Sequence, residues 1–546
     1  MPGTSVTRTP YRGTRKVSVR HRRRILCIFP RYAPSFGTFN YAYALMDGVS
    51  AFMPPQGILI VAAYLPGEWD VRLVDENIRT TSLADLEWAD AVFISGMHIQ
   101  KGEIRRIAQR ARAAGKTTVL GGPSVSAAPD RYPEFDYLHL GEIGDATDAL
   151  IRTLDEDIRP PPEQQRFETE QRLPLAEFPL PAFKLINGRH YFLGSVQFSS
   201  GCPYRCDFCD IPALYGRLPR LKSAEQVVAE LDALLAAGIQ GSVYFVDDNF
   251  IANKKATREL LPHLVAWQKR RGYPLQLSCE ATLNIAKCPD ILKLMREAYF
   301  CTVFCGIETP ELEALAAMGK SHNQAMPILE AISTLNSYGI EVVSGIILGL
   351  DTDTPATEAR LAEFISRSRI PVLTINLLQA LPKTPLWDRL ASAGRLIDDA
   401  GRDSNVVFAR PYEEVRDVWC RSIRAAFAPE AIYRRYAWNA SHTYPNRLSR
   451  PPLGRARVNL ANLRRGAVIL GKLLWRIGVL SDYRRTFWQM ALPALRAGKI
   501  EELIQVALVA HHMIVFARES ATGRQSAAFY ADRTVEVLEI GTSLPS

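Results

Sequence analysis

The chain contains no uninterrupted apolar run of the roughly 18 residues that span a bilayer, which argues against a membrane-spanning helix. No apolar segment precedes residue 25, so the beginning of the chain does not read as a secretory signal. Cysteine is scarce, at nine residues in 546. An odd number without a secretory signal argues against a disulfide framework and fits a reducing cytoplasm. Solenoid repeats are missing too. Acid is absent from residues 1–24, which carry Arg8, Arg12, Arg15, Lys16, Arg20, Arg22, Arg23 and Arg24. Those eight charges account for nearly all of the net +9. The rest of the chain is close to neutral, and the basic balance is a weak argument for nucleic acid. The tail reads as a disordered basic extension or, more sharply, as an anchor to an anionic membrane surface.

What remains is an ordinary globular composition, 47% hydrophobic and 23% charged, with length for about three domains. From 25 to 155 short apolar runs alternate with helical stretches. The strands are expected at 24–29, 69–76, 91–96, 117–122 and 136–142, with helices at 104–115 and up to Leu154. This pattern predicts a doubly wound α/β domain with a parallel sheet. Ligands in such sheets bind at the carboxyl ends of strands, here Ser95-Gly96-Met97-His98 and Gly121-Gly122-Pro123. Residues 156–189 hold six prolines and read as a surface linker. From 190 to 404 six strands are expected, at 196–200, 242–248, 275–280, 302–308, 341–348 and 372–378. Helices separate them, for example at 223–238 and 323–339. That regularity predicts a parallel (β/α)6 barrel, complete or partial, with its site at the strand carboxyl ends. From 405 to 546 strand signals stop, and a helical, Arg-rich domain is expected. Residues 441–500 carry twelve Lys or Arg and one acid, Asp482.

Three cysteines stand together, Cys202, Cys206 and Cys209, immediately after the first barrel strand. Three thiolates at this Cys-x3-Cys-x2-Cys spacing can hold three corners of a cubane iron–sulfur cluster, which leaves one iron open to substrate. A zinc site is the rival, but it wants a fourth ligand at recognisable spacing and none follows nearby. The other six, Cys27, Cys279, Cys288, Cys301, Cys305 and Cys420, are expected to be small buried hydrophobes.

On this motif the chain resembles the radical S-adenosylmethionine (SAM) superfamily over about 195–400. The resemblance implies a 4Fe–4S cluster, SAM bound at its open iron, and cleavage to a 5′-deoxyadenosyl radical. It places Phe208 against adenine and Asp247, Asp248 and Asn249 near the methionine amino group. Glu280 and Glu308 are placed at the ribose, and Gly345 and Gly349 beside adenine. A polar residue at a strand end is commonly a cap, so the weight lies in recurrence on successive strands.

The preceding α/β domain resembles the cobalamin-binding part of class B radical SAM methyltransferases. Ser95, Met97, His98, Gly121 and Gly122 are its candidate cobalamin residues. The Asp-x-His-x-x-Gly motif that supplies an axial histidine is absent. His98 is therefore expected to line the pocket or to be satisfied elsewhere, and cobalamin to bind without a protein ligand. A degenerate domain without cofactor is the alternative.

The whole order resembles the hopanoid carbon-2 methyltransferases, also in Met53-Pro54-Pro55-Gln56-Gly57 and Asp75-Glu76-Asn77-Ile78. This implies a hopanoid lipid substrate, methylcobalamin as methyl donor, and a reductant such as a ferredoxin or flavodoxin. It implies no nucleic acid. No catalytic side chain is assigned. The alternatives are methylation of another lipid or natural product, or a non-catalytic cobalamin or iron–sulfur sensor. The segments 462–480 and 502–517 read as bundle helices with a basic face, or as interfacial helices. On the second reading Trp475 and Trp488 sit at the headgroups, the apolar faces around Leu473, Trp475 and Val479 bury shallowly or line the lipid path, and the protein is cytoplasmic but peripheral to the membrane.

Overall fold

The computed structural model describes residues 17–324, 326–399, 401–449 and 460–524. Six strands form the first sheet: β1 (Arg24–Phe29), β2 (Asp70–Asp75), β3 (Ala91–Ser95), β4 (Thr117–Gly121), β5 (Tyr137–Leu140) and β6 (Gln165–Glu168). All pairs are parallel, in the order β2-β1-β3-β4-β5-β6. β1 is buried along nearly its whole length, which is why it reads as an unbroken apolar run rather than an alternating one. The chain changes direction across the sheet between β1 and β3, and this opens a crevice at their carboxyl ends.

β6 lies inside the stretch expected to be a linker. It pairs with β5 from Tyr137↔Gln165 to Leu140↔Glu168. Its sequence, QRFE, is mostly exposed, as a charged edge strand should be, so no apolar signal announces it. The basic tail also departs from expectation in its described part. The amides of Arg20 and His21 donate to the Asp155 carboxylate at 2.8 and 2.9 Å, and Arg23 donates to the Asp155 carbonyl. Residues 17–24 are thus fastened to the end of helix Asp145–Glu156; residues 1–16 lie outside the described ones.

The second sheet contains β7 (Gly194–Val196), β10 (Gly241–Phe245), β11 (Leu275–Glu280), β12 (Phe300–Glu308), β13 (Glu341–Leu348) and β14 (Leu373–Leu377). β8 (Ser199–Ser200) and β9 (Arg220–Leu221) form a small antiparallel pair beside it. The order β14-β13-β12-β11-β10-β7 is parallel throughout, with β7 and β14 at its two ends, a partial barrel. The strand expected at 196–200 breaks at Gln197, and its second half turns away to pair with β9. Helix Ala224–Ala236 starts at a capping box of Ser223 and Gln226. The helix expected from 323 starts only at Ile328, because Pro327 disfavours helix before it.

The two sheets are joined by the motifs that fitted the hopanoid group. Ser195 Oγ donates to the Pro54 carbonyl at 2.9 Å, and Gln56 Nε2 donates to Glu230 at 3.2 Å. Tyr191 OH donates to Asp75 at 3.1 Å.

Helices Tyr412–Ala426, Pro429–His442, Leu460–Trp475, Arg484–Arg496 and Ile500–Ala521 make up the carboxyl-terminal part. Helix Ile500–Ala521 is long and apolar enough to cross a membrane, which the sequence reading did not anticipate. More than half of its most apolar stretch is buried inside the protein. Its Phe516 ring sits 4.6 Å from Phe36, and His512 Nε2 lies 3.0 Å from the Ser35 carbonyl. Two residues expected to face lipid do not. Leu473 is in the core, and Trp488 donates its indole N–H to the Gly478 carbonyl at 2.8 Å. Trp475 and Val479 are exposed, together with Leu480.

Candidate active site

The cysteine loop leaves β8 and is fastened by segments that follow the barrel strands. Gly201 has φ +95°, and a Cβ there would stand 2.9 Å from the Gly216 carbonyl, so only glycine fits. Its amide donates to Asp248 at 2.7 Å, and the Cys202 amide to Gly216 O at 3.2 Å. Tyr204 stacks on His322 with centroids 3.8 Å apart and accepts from Asn284 Nδ2 at 2.7 Å. The Asp207 amide donates to Met318 O, and Asp207 O accepts from the Leu386 amide. Cys202, Cys206 and Cys209 are half-buried, whereas the other six cysteines are buried, as the sequence predicts.

The three thiols feel one another. Burial pushes each above the ordinary thiol value, and for Cys206 and Cys209 neighbouring cysteine charge adds to it. Lys320 opposes the rise at Cys202 and Cys206. Asn249 Nδ2 is buried without an oxygen acceptor, and the Asn249 side chain holds the Cys202 thiol down. Three neighbouring thiols, a nearby cation and the Asn249 side chain beside Cys202 fit an anionic iron–sulfur cluster.

Among the strand-end residues, Asp247 is turned back into the protein. Its oxygens accept from Phe198 N at 2.8 Å, Ser199 N at 2.9 Å and Ser199 Oγ at 2.7 Å. Burial nevertheless pushes its carboxyl up to about 7. Gly349, at φ +88°, leaves room for Phe408, whose ring would be 2.6 Å from a Cβ. The Asp248, Asp247 and Glu308 carboxylates all lie close enough to act on Glu280. Burial and neighbouring carboxylates raise Glu280 to about 7 and Asp248 to about 6. A Cβ at Gly345 would lie 3.5 Å from Glu308 Oε2. Phe208 is half-buried, with Lys320 Nζ 5.5 Å from its ring centroid.

Sequence reasoning missed Lys320. It is 6% exposed and pairs with Glu308 at 2.5 Å. Glu308 itself has φ +65°, a left-handed conformation uncommon for this residue type. The one available signal was Gly306, where a Cβ would come within 2.7 Å of Lys320 Nζ.

The amino-terminal sheet ends against the same space. Gly122 has φ +94°, and a Cβ there would meet Ser95 Oγ at 2.8 Å and Gly96 O at 3.1 Å. A Cβ on Gly121 would meet nothing nearer than 3.9 Å, so that edge is open to a ligand. A cavity of about 240 Å³ lies between the sheets, lined by His98, Lys101, Ser124, Arg131, Gln379 and Trp387. His98 Nε2 is 3.6 Å from Asp210, the residue after Cys209. Met97 donates its amide to Gln100 Oε1 at 2.9 Å. An open glycine edge and a polar cleft fit the tail of a cobalamin.

Known proteins share these parts. Residues 44–151 match a B12 binding domain, residues 196–365 the radical SAM superfamily, and residues 384–526 a domain of unknown function (DUF4070). Two solved structures share the fold. The cobalamin-dependent SAM radical enzyme OxsB has a TM-score of 0.56 at 14% identity, covering 92% of this chain and 80% of that one. TsrM from Kitasatospora setae, with cobalamin and a 4Fe–4S cluster bound, has 0.55 at 16%, covering 92% and 100%. Sheet, barrel and cysteine loop together define a cobalamin-dependent radical SAM methyltransferase, with 4Fe–4S cluster, SAM and cobalamin as cofactors. The chain is also 58% identical to the hopanoid C-2 methylase of Rhodopseudomonas palustris (strain TIE-1), over 94% of its own length and 97% of that protein. It is 33% identical to an uncharacterized methyltransferase of Synechocystis over 90% of each. It belongs to the hopanoid C-2 methylase family.

Proposed function

We propose that the protein transfers a methyl group to carbon 2 of a hopanoid. The observation that carries the substrate is the 58% identity across 97% of the Rhodopseudomonas palustris enzyme. When bound, the cofactors supply the electron that cleaves SAM and the methyl group that is transferred. The chain's own residues hold and orient. Cys202, Cys206 and Cys209 ligate the cluster on a loop fixed by Asp248, Met318 and Leu386. Phe208, Asp248, Asn249, Glu280, Glu308 and Gly345 would contact SAM; Asp247 and Gly349 would set the backbone that carries them. Ser95, Met97, His98, Gly121 and Gly122 would form the cobalamin edge, with His98 as a lining residue. No side chain has to take a proton in hydrogen-atom abstraction, which agrees with the lack of an assigned base.

A lipid substrate needs a path from a bilayer. Trp475, Val479 and Leu480 are exposed alongside exposed Lys472, Arg476, Arg484 and Arg485. An apolar tip ringed by cations suits anionic headgroups, at about 1 kcal/mol per basic residue near the surface. The reading therefore includes peripheral membrane contact, with electrons from a ferredoxin or flavodoxin.

The test is incubation of the reconstituted protein with a hopanoid-containing lipid extract, SAM labelled in its methyl group, and a reductant. Labelled 2-methylhopanoid with 5′-deoxyadenosine is the expected result. Release of 5′-deoxyadenosine with the label in another lipid would move the substrate, and no cleavage at all would favour a sensor. Flotation with anionic liposomes, strong at low salt and weak at high salt, checks the membrane contact.

A further inference from the structure

We propose that Lys320 and Glu308 form a buried charge pair that sets the reduction potential of the cluster held by Cys202, Cys206 and Cys209. The proposal rests on those cysteines being the cluster ligands.

The pair is built against the cysteine loop. Lys320 follows Met318, whose carbonyl accepts from the Asp207 amide at 3.1 Å. It also follows Gly319, whose Cβ position is only 2.8 Å from the Arg205 carbonyl. The turn carrying the lysine and the turn carrying Cys206 therefore touch backbone to backbone. Lys320 Nζ then lies 5.5 Å from the ring centroid of Phe208, the neighbour of Cys209. On its other side it pairs with Glu308 at 2.5 Å. Both side chains are about nine-tenths buried.

This arrangement is costly to keep. A lysine and a glutamate are seldom buried together, since desolvation offsets much of their attraction. Glu308 also adopts φ +65°, and Gly306 must lack a side chain to leave the space. Observed backbone strain of this kind gathers at functional sites. A structural pair could be replaced by apolar packing; a fixed charge beside a redox centre could not.

The physics gives the sign. The donor is oxidised by one electron, and that electron enters the cluster and makes it more negative by one charge. A buried cation beside the cysteine loop stabilises the reduced form and raises the potential. A buried anion one hydrogen bond further away lowers it. Low dielectric strengthens both effects, and charge and hydrogen bonding near the sulfurs are among the levers that set such potentials.

The experiment is an anaerobic redox titration of the full-length, cluster-reconstituted protein without SAM, followed by electron paramagnetic resonance, with iron counted for each variant. Lys320→Met should move the midpoint to more negative potential with four irons retained, and Lys320→Arg should stay near the wild type. Glu308→Gln should move it to more positive potential. Because Lys320→Met leaves a carboxylate buried alone, the double variant Lys320→Met/Glu308→Gln is compared with Glu308→Gln and should lie at more negative potential. An unmoved midpoint in Lys320→Met and in the double variant would overturn the proposal. So would Glu308→Gln and Lys320→Met moving in the same direction, which a merely structural pair would produce. A wild type that assembles no cluster, or that keeps it when all three cysteines are replaced by Ala, would instead refute the cluster reading itself.

Discussion

Among the described residues the protein has two six-stranded parallel sheets whose candidate sites lie at the same ends of their strands, yet the two are built by different means. The barrel offers side chains: three thiols on a loop, with carboxylates and an amide around them. The amino-terminal sheet uses backbone: Gly122 lets β4 close on the Ser95–Gly96 turn, and Gly121 leaves an open edge. A site built of thiolates depends on a few atoms that no other residue can supply. A site built of close backbone approach depends on what is missing from a position. Substitutions should therefore abolish the first and only weaken the second.

The largest effect is expected at the cysteines. Replacing Cys202, Cys206 or Cys209 with Ala should remove most of the iron and all SAM cleavage while cobalamin still binds. Replacing Cys27, Cys279, Cys288, Cys301, Cys305 or Cys420 should leave four irons per chain and cost about 1 kcal/mol of stability or somewhat more, as a small buried side chain does. Iron counting and cobalamin absorption on the same samples check both halves. Loss of cobalamin together with iron would break the comparison, because the two sheets would then be one cooperative site.

Next comes Gly122→Ala. A Cβ at φ +94° meets Ser95 Oγ and Gly96 O below normal contact distance, so β3 and β4 must part at their ends. Strain of about 1–3 kcal/mol corresponds to roughly 5- to 150-fold weaker cobalamin binding, with iron content unchanged. Spectrophotometric titration with hydroxocobalamin measures it. Unaltered affinity would mean that the Gly121–Gly122 turn is only a turn.

The same division explains what the sequence made legible. The cysteine spacing and five of the six barrel strands could be read, because thiolates and apolar strands leave dense local signals. β6 could not, because an exposed edge strand carries charge where a core strand carries valine or leucine. Lys320 could not, because its partner Glu308 is twelve residues away and the room that Gly306 leaves for it shows only in the packing. Asp247 was visible as a polar strand end, but whether a carboxylate points at a ligand or back at Phe198 and Ser199 is decided by the break after β7. The carboxyl-terminal helices showed their basic face in sequence. Their inner face, where Leu473 is buried and Trp488 is tied to Gly478, needed the packing.

A smaller effect sharpens the barrel half. In Asp247→Asn one oxygen still accepts from a backbone amide, but the new NH2 faces a donor, at a cost of about 1–3 kcal/mol. The pH dependence is distinctive. Burial raises the Asp247 carboxyl to about 7 in the folded protein, so the folded state binds a proton that the unfolded state has released. Wild-type stability then falls as pH rises from about 4 to about 7 and levels off above. The Asn variant lacks that slope, so its deficit should shrink between about pH 4 and pH 7. Urea titrations of cofactor-free protein at several pH values measure it; a deficit that stays constant across that window would show that the aspartate is held ionised.

The smallest effect is expected at His98, where the two sheets meet. It sits just past the carboxyl end of β3, and its Nε2 is 3.6 Å from Asp210 of the cysteine loop. At 3.6 Å this contact is too long for a hydrogen bond, and no shift in cobalt ligation follows if the imidazole stands beside the corrin rather than under it. His98→Ala should keep bound cobalamin with the absorption of a cofactor that lacks a nitrogen ligand, keep four irons, and lose less than about tenfold in methylation, or about 1.4 kcal/mol. A wild-type spectrum showing nitrogen on cobalt, lost in His98→Ala, would overturn the assignment. It would also erase the contrast between the sheets, since a side chain would then hold the metal on both sides of the site.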